Sequence, residues 1–363
     1  MMVQGLNSFR FFAFFAVFLF HLDFFDFGYM GVHAFFVLSG FLLTPIIIGM
    51  KEHLPTKNYF LNFYGRRSLR IFPLYFFYLL MISIIAYILL EHFNYDVNDR
   101  LARTHEQMIY AVTYTYNFFA MSSSYEQTQT ITHFWSLAVE EQFYLIWPFV
   151  IFLLHKTSIK KALLIIILSG PIIRFLLAQL VLANTGIGFG DLDIVVYTFT
   201  LSNFDAFAIG GYFALYGKNV NNLKILAFFV LLVIIGLVTD YLSGVEFNFR
   251  SFGYKGFMRD GYKYIWAYSL FSFLFALILV NIRDKKFIPI IFENGVFAYL
   301  GKISYGLYVY HFPIVYFATH ELANISFYVR APLILCMTIA ISALSFQLLE
   351  KRFLDKKDKW FPH

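Results

Sequence analysis

The sequence predicts an all-α integral membrane protein, built as a bundle of about ten transmembrane helices. Of its 363 residues 60% are hydrophobic and only 14% are charged, a composition far too apolar for a soluble domain. The apolar residues form runs close to the length of about 20 residues that one helix needs to cross a bilayer. Basic residues come in short clusters between those runs. That pattern marks membrane topology and argues against nucleic-acid binding as the reason for the net charge of +6.

Ten apolar runs are long enough to cross the membrane. They lie near residues 6–27, 30–50, 71–91, 134–154, 162–183, 195–216, 223–242, 263–282, 296–318 and 329–349. A further apolar stretch near 108–121 is short, and its length predicts a re-entrant or interfacial segment. No polar loop is long enough to fold alone, so we expect one transmembrane domain over residues 1–363 without an appended soluble domain.

The distribution of basic residues predicts how the bundle is oriented in the membrane. With a cytoplasmic N-terminus and ten spans, the cytoplasmic loops and tail carry 18 Lys and Arg residues and the outer loops carry 7. This asymmetry follows the positive-inside rule. Counting 108–121 as a full span would invert every later loop and move the Lys-rich tail outside. We therefore expect both termini in the cytoplasm. The single cysteine, Cys336, lies in an apolar run and is expected to be buried.

The first apolar run contains two ionisable residues, Arg10 and His21. Eleven steps along an α-helix make about three turns, so both side chains lie on one stripe, roughly 16 Å apart. Ionisable groups inside a span usually mark a functional site. Arginine binds phosphate and neutral histidine is a general base, so the stripe suits a long donor with a phosphorylated head, such as acyl-coenzyme A. Alternatively, Arg10 only sets topology and His21 only forms a hydrogen bond within the bundle.

Four sequence blocks follow one another along most of the chain. The first is Arg10 and His21 followed by GYMGVHAFFVLSGF at 28–41; the others are RRSLRIFPLY at 66–75, WSLAVEEQFY at 135–144 and ISYGLYVYH at 303–311. In this order the blocks resemble the bacterial membrane acyltransferase-3 family. The resemblance implies a multi-pass enzyme of the bacterial cytoplasmic membrane that transfers an acyl group, usually acetyl from acetyl-coenzyme A, to a hydroxyl of a cell-envelope carbohydrate.

Two positions depart from the family pattern. His33 stands where the family usually has an acidic residue, which puts the role of that carboxylate in doubt here. The family often has an arginine just before the block that begins at Asp205, and this chain has Ser202, Asn203 and Phe204 instead. Asp205 is therefore not included in the candidate site. Arg174 also lies within a span, and nothing in the sequence identifies its partner.

Transfer from a thioester requires a base for the acceptor hydroxyl and stabilisation of the oxyanion. His21 is the candidate base, or alternatively a transient acyl carrier. Glu140, in the first turns of its span, is expected at a similar depth and would orient the imidazole. Glu141 is rotated by about 100° from Glu140, so only one of the two can face a given partner. The family pattern favours Glu140.

The donor site is expected to combine Arg10 with Arg67 and Arg70, which lie one helical turn apart at the start of the third span. Candidate acceptor or supporting residues are Ser304, Tyr305, His311 and Glu141. No metal is expected. The expected partners are acyl-coenzyme A, a cell-envelope glycan or lipid-linked saccharide, and membrane lipids.

Two other classes of function remain open at the level of sequence. A proton-coupled transporter of a small envelope metabolite would also use buried His, Glu and Arg side chains, and paired broken helices would favour it. A non-catalytic scaffold for lipid-linked glycan biosynthesis would not need His21.

Overall fold

A computed structural model describes residues 4–93, 100–183 and 188–362. Within these ranges the chain is helical, and its only bridge pairing joins Ser122 and Phe189. The helices are α1 Gln4–His21, α2 Met30–His53, α3 Thr56–Phe93, α4 Arg103–Val112, α5 Tyr116–Ala120, α6 Phe134–Leu153, α7 Ile159–Leu182, α8 Leu192–Thr198, α9 Phe204–Tyr216, α10 Asn222–Leu242, α11 Lys263–Arg283, α12 Pro289–Phe292, α13 Gly295–Lys302, α14 Ser304–Glu321, α15 Phe327–Ser345 and α16 Lys351–Trp360.

Seven of the described helical segments are long and apolar enough to cross a membrane, or eight if a bent pair is counted as one span. This confirms the prediction of an all-α membrane protein, whereas the predicted count of ten is not confirmed. The first predicted span, 6–27, is a helix of 18 residues that ends at His21. The ninth, 296–318, is divided between α13 and α14 at Ile303. Gly301, two residues before that break, lets α13 approach α1 closely, because a Cβ there would lie 1.7 Å from the Asn7 carbonyl oxygen.

The helix that contains the third predicted span begins much earlier than that span. Helix α3 starts at Thr56 and has 38 residues, a length of about 57 Å that exceeds the roughly 30 Å hydrocarbon core. The basic cluster ends the apolar run but does not end the helix, since no proline interrupts residues 56–70. Arg67 and Arg70 therefore lie inside α3, and their place at the start of the membrane-spanning part stays a prediction.

The sixth predicted span, 195–216, is broken. Residues Leu192–Thr198 and Thr200–Tyr216 meet at an angle of 69°, with Phe199 in an extended conformation. The side-chain amide of Asn203 donates hydrogen bonds to the carbonyl oxygens of Tyr197 and Phe199, both at 2.9 Å. These bonds satisfy backbone groups that a break would otherwise leave unpaired in the membrane.

The stretch near 108–121 forms two short helices, α4 and α5, and neither is long enough to cross a bilayer. Both are held by neighbouring helices. The Tyr75 hydroxyl of α3 donates to the Ala111 carbonyl at 2.7 Å, and the Gln142 amide of α6 donates to the Tyr114 carbonyl at 2.8 Å. The segment therefore agrees with the predicted re-entrant or interfacial piece.

The chain divides into two compact units. The first unit comprises Met1–Ile48, Met121–Ser123 and Phe149–Lys302; the second comprises Gly49–Ala120, Ser124–Pro148 and Ile303–His363. In the first unit α2 and α9 approach through glycines, because a Cβ at Gly40 would lie 1.9 Å from the Phe207 carbonyl oxygen and one at Gly210 would lie 2.0 Å from the Val37 carbonyl oxygen. Gly40 thus serves helix packing.

Candidate functional site

In the first unit, α1 carries both Arg10 and His21. Arg10 donates a hydrogen bond from Nη1 to the Asn7 side-chain oxygen at 2.7 Å. The helix is anchored nearby, because the Ser8 hydroxyl donates to the Phe292 carbonyl at 2.6 Å. The arginine and the histidine are thus eleven residues apart on one helix, a separation of roughly 16 Å along its axis.

His21 is the last residue of α1 and is partly exposed. Asp23 adopts a left-handed backbone conformation with φ of 54°, and the amides of Phe24 and Phe25 donate back to the Leu19 carbonyl at 3.0 and 3.3 Å. This local turn ends the helix. The carbonyl end of a helix carries partial negative charge and favours a protonated imidazole. His21 therefore lies beside the partial negative charge at the carbonyl end of α1.

Arg174 and Asp205 form a buried ion pair in the same unit. Two guanidinium nitrogens donate to the two carboxylate oxygens at 3.1 and 2.9 Å, and Nε donates to the Ile265 carbonyl at 2.9 Å. The structure thus identifies the partner of Arg174 that sequence reasoning did not find. His33 is also buried and stacks on Tyr268, with ring centroids 4.6 Å apart. Asp205 is thus buried and paired with Arg174.

In the second unit, tyrosine hydroxyls fix α3 against α6. Tyr59 donates to the Pro148 carbonyl and Tyr64 to the Leu145 carbonyl, both at 2.8 Å. These bonds set the register of the two helices. They bring the basic side chains of α3 beside the acidic side chains of α6.

Arg67 and Glu140 share Tyr144 as a neighbour. The guanidinium carbon of Arg67 lies 5.9 Å from the centroid of the Tyr144 ring, a cation–π distance. The Tyr144 hydroxyl donates a short hydrogen bond to the Glu140 carboxylate one turn earlier on α6. Arg67 also interacts electrostatically with Glu140 and Glu141. The structure therefore brings together three of the residues that the sequence predicted for the site.

Arg67 and Arg70 of α3 have guanidinium N–H groups that are not used in hydrogen bonds to the described residues. Within the described ranges neither Arg67 nor Arg70 forms a hydrogen bond or an ion pair. The neighbouring Arg66 is different, because it binds Asp358 at 2.8 Å and the Phe361 carbonyl at 2.6 Å. A guanidinium has five N–H donors that match a phosphate group. Arg67 and Arg70 are thus suited to an anionic ligand, whereas Arg66 anchors the C-terminal segment.

Glu141 is partly buried, and its Oε1 atom is buried without a hydrogen-bond partner among the described residues. It interacts electrostatically with Tyr305 of α14 and with Tyr114. Burial, and then the charge of Glu141, raises the pKa of the Tyr114 hydroxyl well above its usual value. Tyr114 therefore stays protonated, and its hydroxyl has no hydrogen-bond partner among the described residues.

Helix α14 places Ser304, Tyr305 and His311 in the same unit. The Tyr305 hydroxyl donates to the Ile71 carbonyl at 3.3 Å. His311 is fully buried, and its Nδ1–H donates to the Tyr308 carbonyl at 2.6 Å. That bond assigns the remaining ring nitrogen, Nε2, as an acceptor in the neutral ring. The His133 ring lies 5.3 Å from that of His311.

Sequence reasoning missed several polar residues of the second unit. Tyr144 is recognisable in retrospect, because it follows Glu140 by four residues and so faces it on a helix. Tyr114 and Glu350 lie outside the four sequence blocks, and only the fold brings them to this region. The predicted pairing of His21 with Glu140 stays a prediction, since the two residues belong to different units.

Comparisons with known proteins identify a family and several relatives of the chain. The family model described as "Acyltransferase domain" matches residues 3–346. The chain is 29% identical over 372 residues to the O-acetyltransferase OatA of Staphylococcus aureus strain NCTC 8325 / PS 47, and equally to OatA of strain COL. Each alignment covers 98% of this chain and 58% of the relative, so the chain spans little more than half the length of these proteins. No solved structure matches the chain.

Proposed function

Because the chain belongs to the acyltransferase-domain family, we propose that it is a membrane O-acyltransferase. It takes an acyl group, in the simplest case acetyl, from acyl-coenzyme A and transfers it to a hydroxyl of a cell-envelope carbohydrate. Relatives that align with 98% of the chain are named O-acetyltransferases. These relatives are longer than the chain, which spans 58% of their length. The activity, the acceptor and the partners given below are therefore proposed for this chain.

The observation that carries the proposal is the pair Arg67 and Arg70. Both guanidinium groups lie one turn apart in a candidate span and lack a hydrogen-bond acceptor in the part of the chain that the structure describes. Cations inside a membrane helix are expensive and mark functional sites. The phosphates of coenzyme A offer the bidentate acceptors that arginine prefers. We assign Arg67 and Arg70 to the donor phosphates, with Arg10 as a further donor-binding residue.

His21 acts as the general base. In the proposed reaction the acceptor hydroxyl oxygen forms a bond to the thioester carbonyl carbon while the C–S bond breaks. His21 takes the hydroxyl proton and passes it to the departing thiolate, so that an ester and free coenzyme A are formed. The end of α1 stabilises the imidazolium that exists between these two transfers. Glu140 is the supporting carboxylate, and Tyr144 positions it through the hydrogen bond of α6.

Supporting residues surround the carboxylates of the second unit. Tyr305 and the neutral His311 are candidates for contacts with the acceptor, together with Ser304 and Glu141. Hydroxyl and imidazole groups suit a carbohydrate, since they both donate and accept hydrogen bonds. The acceptor is a cell-envelope glycan or a lipid-linked saccharide, and the protein resides in the bacterial cytoplasmic membrane with both termini in the cytoplasm.

The transporter alternative lacks a specific observation in its favour. It predicts broken helices in corresponding positions of two repeats. In the described ranges one bent pair, Leu192–Thr198 with Thr200–Tyr216, meets the criterion for a broken span.

Mass spectrometry of envelope carbohydrates from cells with and without the gene tests the proposal. We expect ester-linked acetyl groups that disappear on deletion and return when the gene is restored. Identical acetylation in both strains would contradict an O-acyltransferase function.

A further inference from the structure

Glu350 is a buried carboxylate in an unusual backbone turn. Residues Phe346–Glu350 form the π-helical turn that connects α15 to α16. The Glu350 side chain is 5% exposed, and among the described residues nothing donates a hydrogen bond to its Oε1 atom. That atom faces α14, because a Cβ added at Gly306 would lie 3.4 Å from it.

Burying such a carboxylate destabilises the fold unless another group compensates its charge. A buried carboxylate without hydrogen bonds carries a large desolvation penalty, and buried polar groups in proteins are nearly always satisfied. Single π-turns inside helices occur often at functional sites. Glu350 combines both features, and no step of the proposed acyl transfer uses it.

Arg70 is the charged neighbour of Glu350. The π-turn packs against α3, and Arg70 of α3 interacts electrostatically with the Glu350 carboxylate. No contact within 4.0 Å joins them as an ion pair in the described structure. The acid therefore has an unused acceptor, and the arginine has unused donors. Tyr305 and Tyr310 of α14 also lie within electrostatic reach of Glu350, while α15 contributes the non-ionising Ser342.

We propose that Glu350 is the internal counter-ion of Arg70 and that a phosphate group of the donor replaces it. A phosphate group on Arg70 takes up donors of the guanidinium group and adds negative charge beside Glu350. When phosphate binds Arg70, the Glu350 carboxylate loses its compensating charge in a low-dielectric site, and it takes up one proton from solvent. Donor binding is thereby coupled to proton uptake. The inference rests on the proposed function for the identity of the donor.

Calorimetric titration of coenzyme A into the purified full chain tests this coupling. Titrations in two buffers of equal pH but different ionisation enthalpy give the number of protons exchanged. Relative to wild type, Glu350→Gln should take up about one proton fewer, because the amide cannot be protonated. It should also bind coenzyme A roughly tenfold more tightly, since the competing internal anion is removed. Asp355→Asn, at an exposed carboxylate five residues further on, should behave as wild type.

Glu350→Asp provides a second variant if the glutamine protein does not fold, because it keeps a titrating carboxylate and should retain proton uptake. Equal proton uptake and equal affinity in wild type and Glu350→Gln would overturn the counter-ion role. Wild-type binding of coenzyme A without proton uptake would overturn it as well. If wild type does not bind coenzyme A, the donor assigned under the proposed function fails, and the counter-ion role fails with it.

Discussion

The hydroxyl of Tyr144 donates a hydrogen bond to the carboxylate of Glu140, while the ring of Tyr144 lies beneath the guanidinium group of Arg67. One side chain thus connects a candidate donor-binding residue with a candidate catalytic residue. The ring and the hydroxyl can be removed separately. That separation allows the two proposed roles to be tested independently.

Tyr144→Phe keeps the ring beneath Arg67 and removes the hydrogen bond to Glu140. We expect kcat to fall about tenfold, because a hydrogen bond to a charged group is lost, while affinity for coenzyme A stays unchanged. Tyr64→Phe is the matched control, since it removes a hydroxyl that donates to the Leu145 carbonyl on the same pair of helices. Steady-state kinetics with a fixed acceptor would measure both. An unchanged kcat for Tyr144→Phe would remove Tyr144 from its positioning role.

Arg67→Ala and Arg70→Ala should each weaken coenzyme A binding. Lysine at either position should restore part of the affinity, because it keeps the charge but lacks the bidentate fork. Lys57→Ala, which removes an exposed cation from the start of the same helix, serves as the control. Equilibrium binding to purified protein provides the measurement. Wild-type affinity in both alanine variants would exclude these arginines from the donor site.

The Arg174–Asp205 pair is expected to act on stability and not on chemistry. Arg174→Ala leaves a buried carboxylate unpaired, a change that typically costs about 3–5 kcal/mol. Arg250→Ala, in a partly exposed pair with Asp26, should cost about 1 kcal/mol or less. Thermal unfolding in detergent would compare them. Equal stability of Arg174→Ala and wild type would show that the pair is dispensable for the fold.

Thiol labelling tests the predicted topology. His33 and His133 are buried at 1% and 2% exposure, so cysteines there would not report the outer surface. Glu246→Cys, at an exposed position in a predicted outer loop, should react with an impermeant reagent added outside. Lys57→Cys and Lys160→Cys should not react. The variants are made in a Cys336→Ser background, so that the native thiol does not react. Cys336 is exposed, and the expectation that it is buried was wrong. Labelling of position 160 from outside would mean that residues 108–121 cross the membrane.

The class of fold could be predicted from sequence because hydropathy and charge patterns report directly on the bilayer. The ends of the helices could not be predicted in this way. Basic residues end an apolar run without ending α3, and local backbone geometry at Phe199 and Ile303 breaks helices inside apolar runs. Arg10 and His21 could be placed on one helix because they belong to one apolar run. Contacts between helices, such as those of Arg67 with Tyr144 and of Arg174 with Asp205, depend on packing that no local pattern encodes.

We propose acyl transfer from acyl-coenzyme A with His21 as the general base. The most direct measurement uses purified protein in proteoliposomes, acetyl-coenzyme A labelled in its acetyl group, and envelope carbohydrate as acceptor. Wild type should move the label into an alkali-labile ester, and His21→Ala should be slower by about 10²-fold or more. His155→Ala, at an exposed histidine, should retain wild-type activity. If the label stays on coenzyme A with wild type, the proposed acyl transfer is wrong. If His21→Ala transfers the label as fast as wild type, the role of His21 as base is wrong.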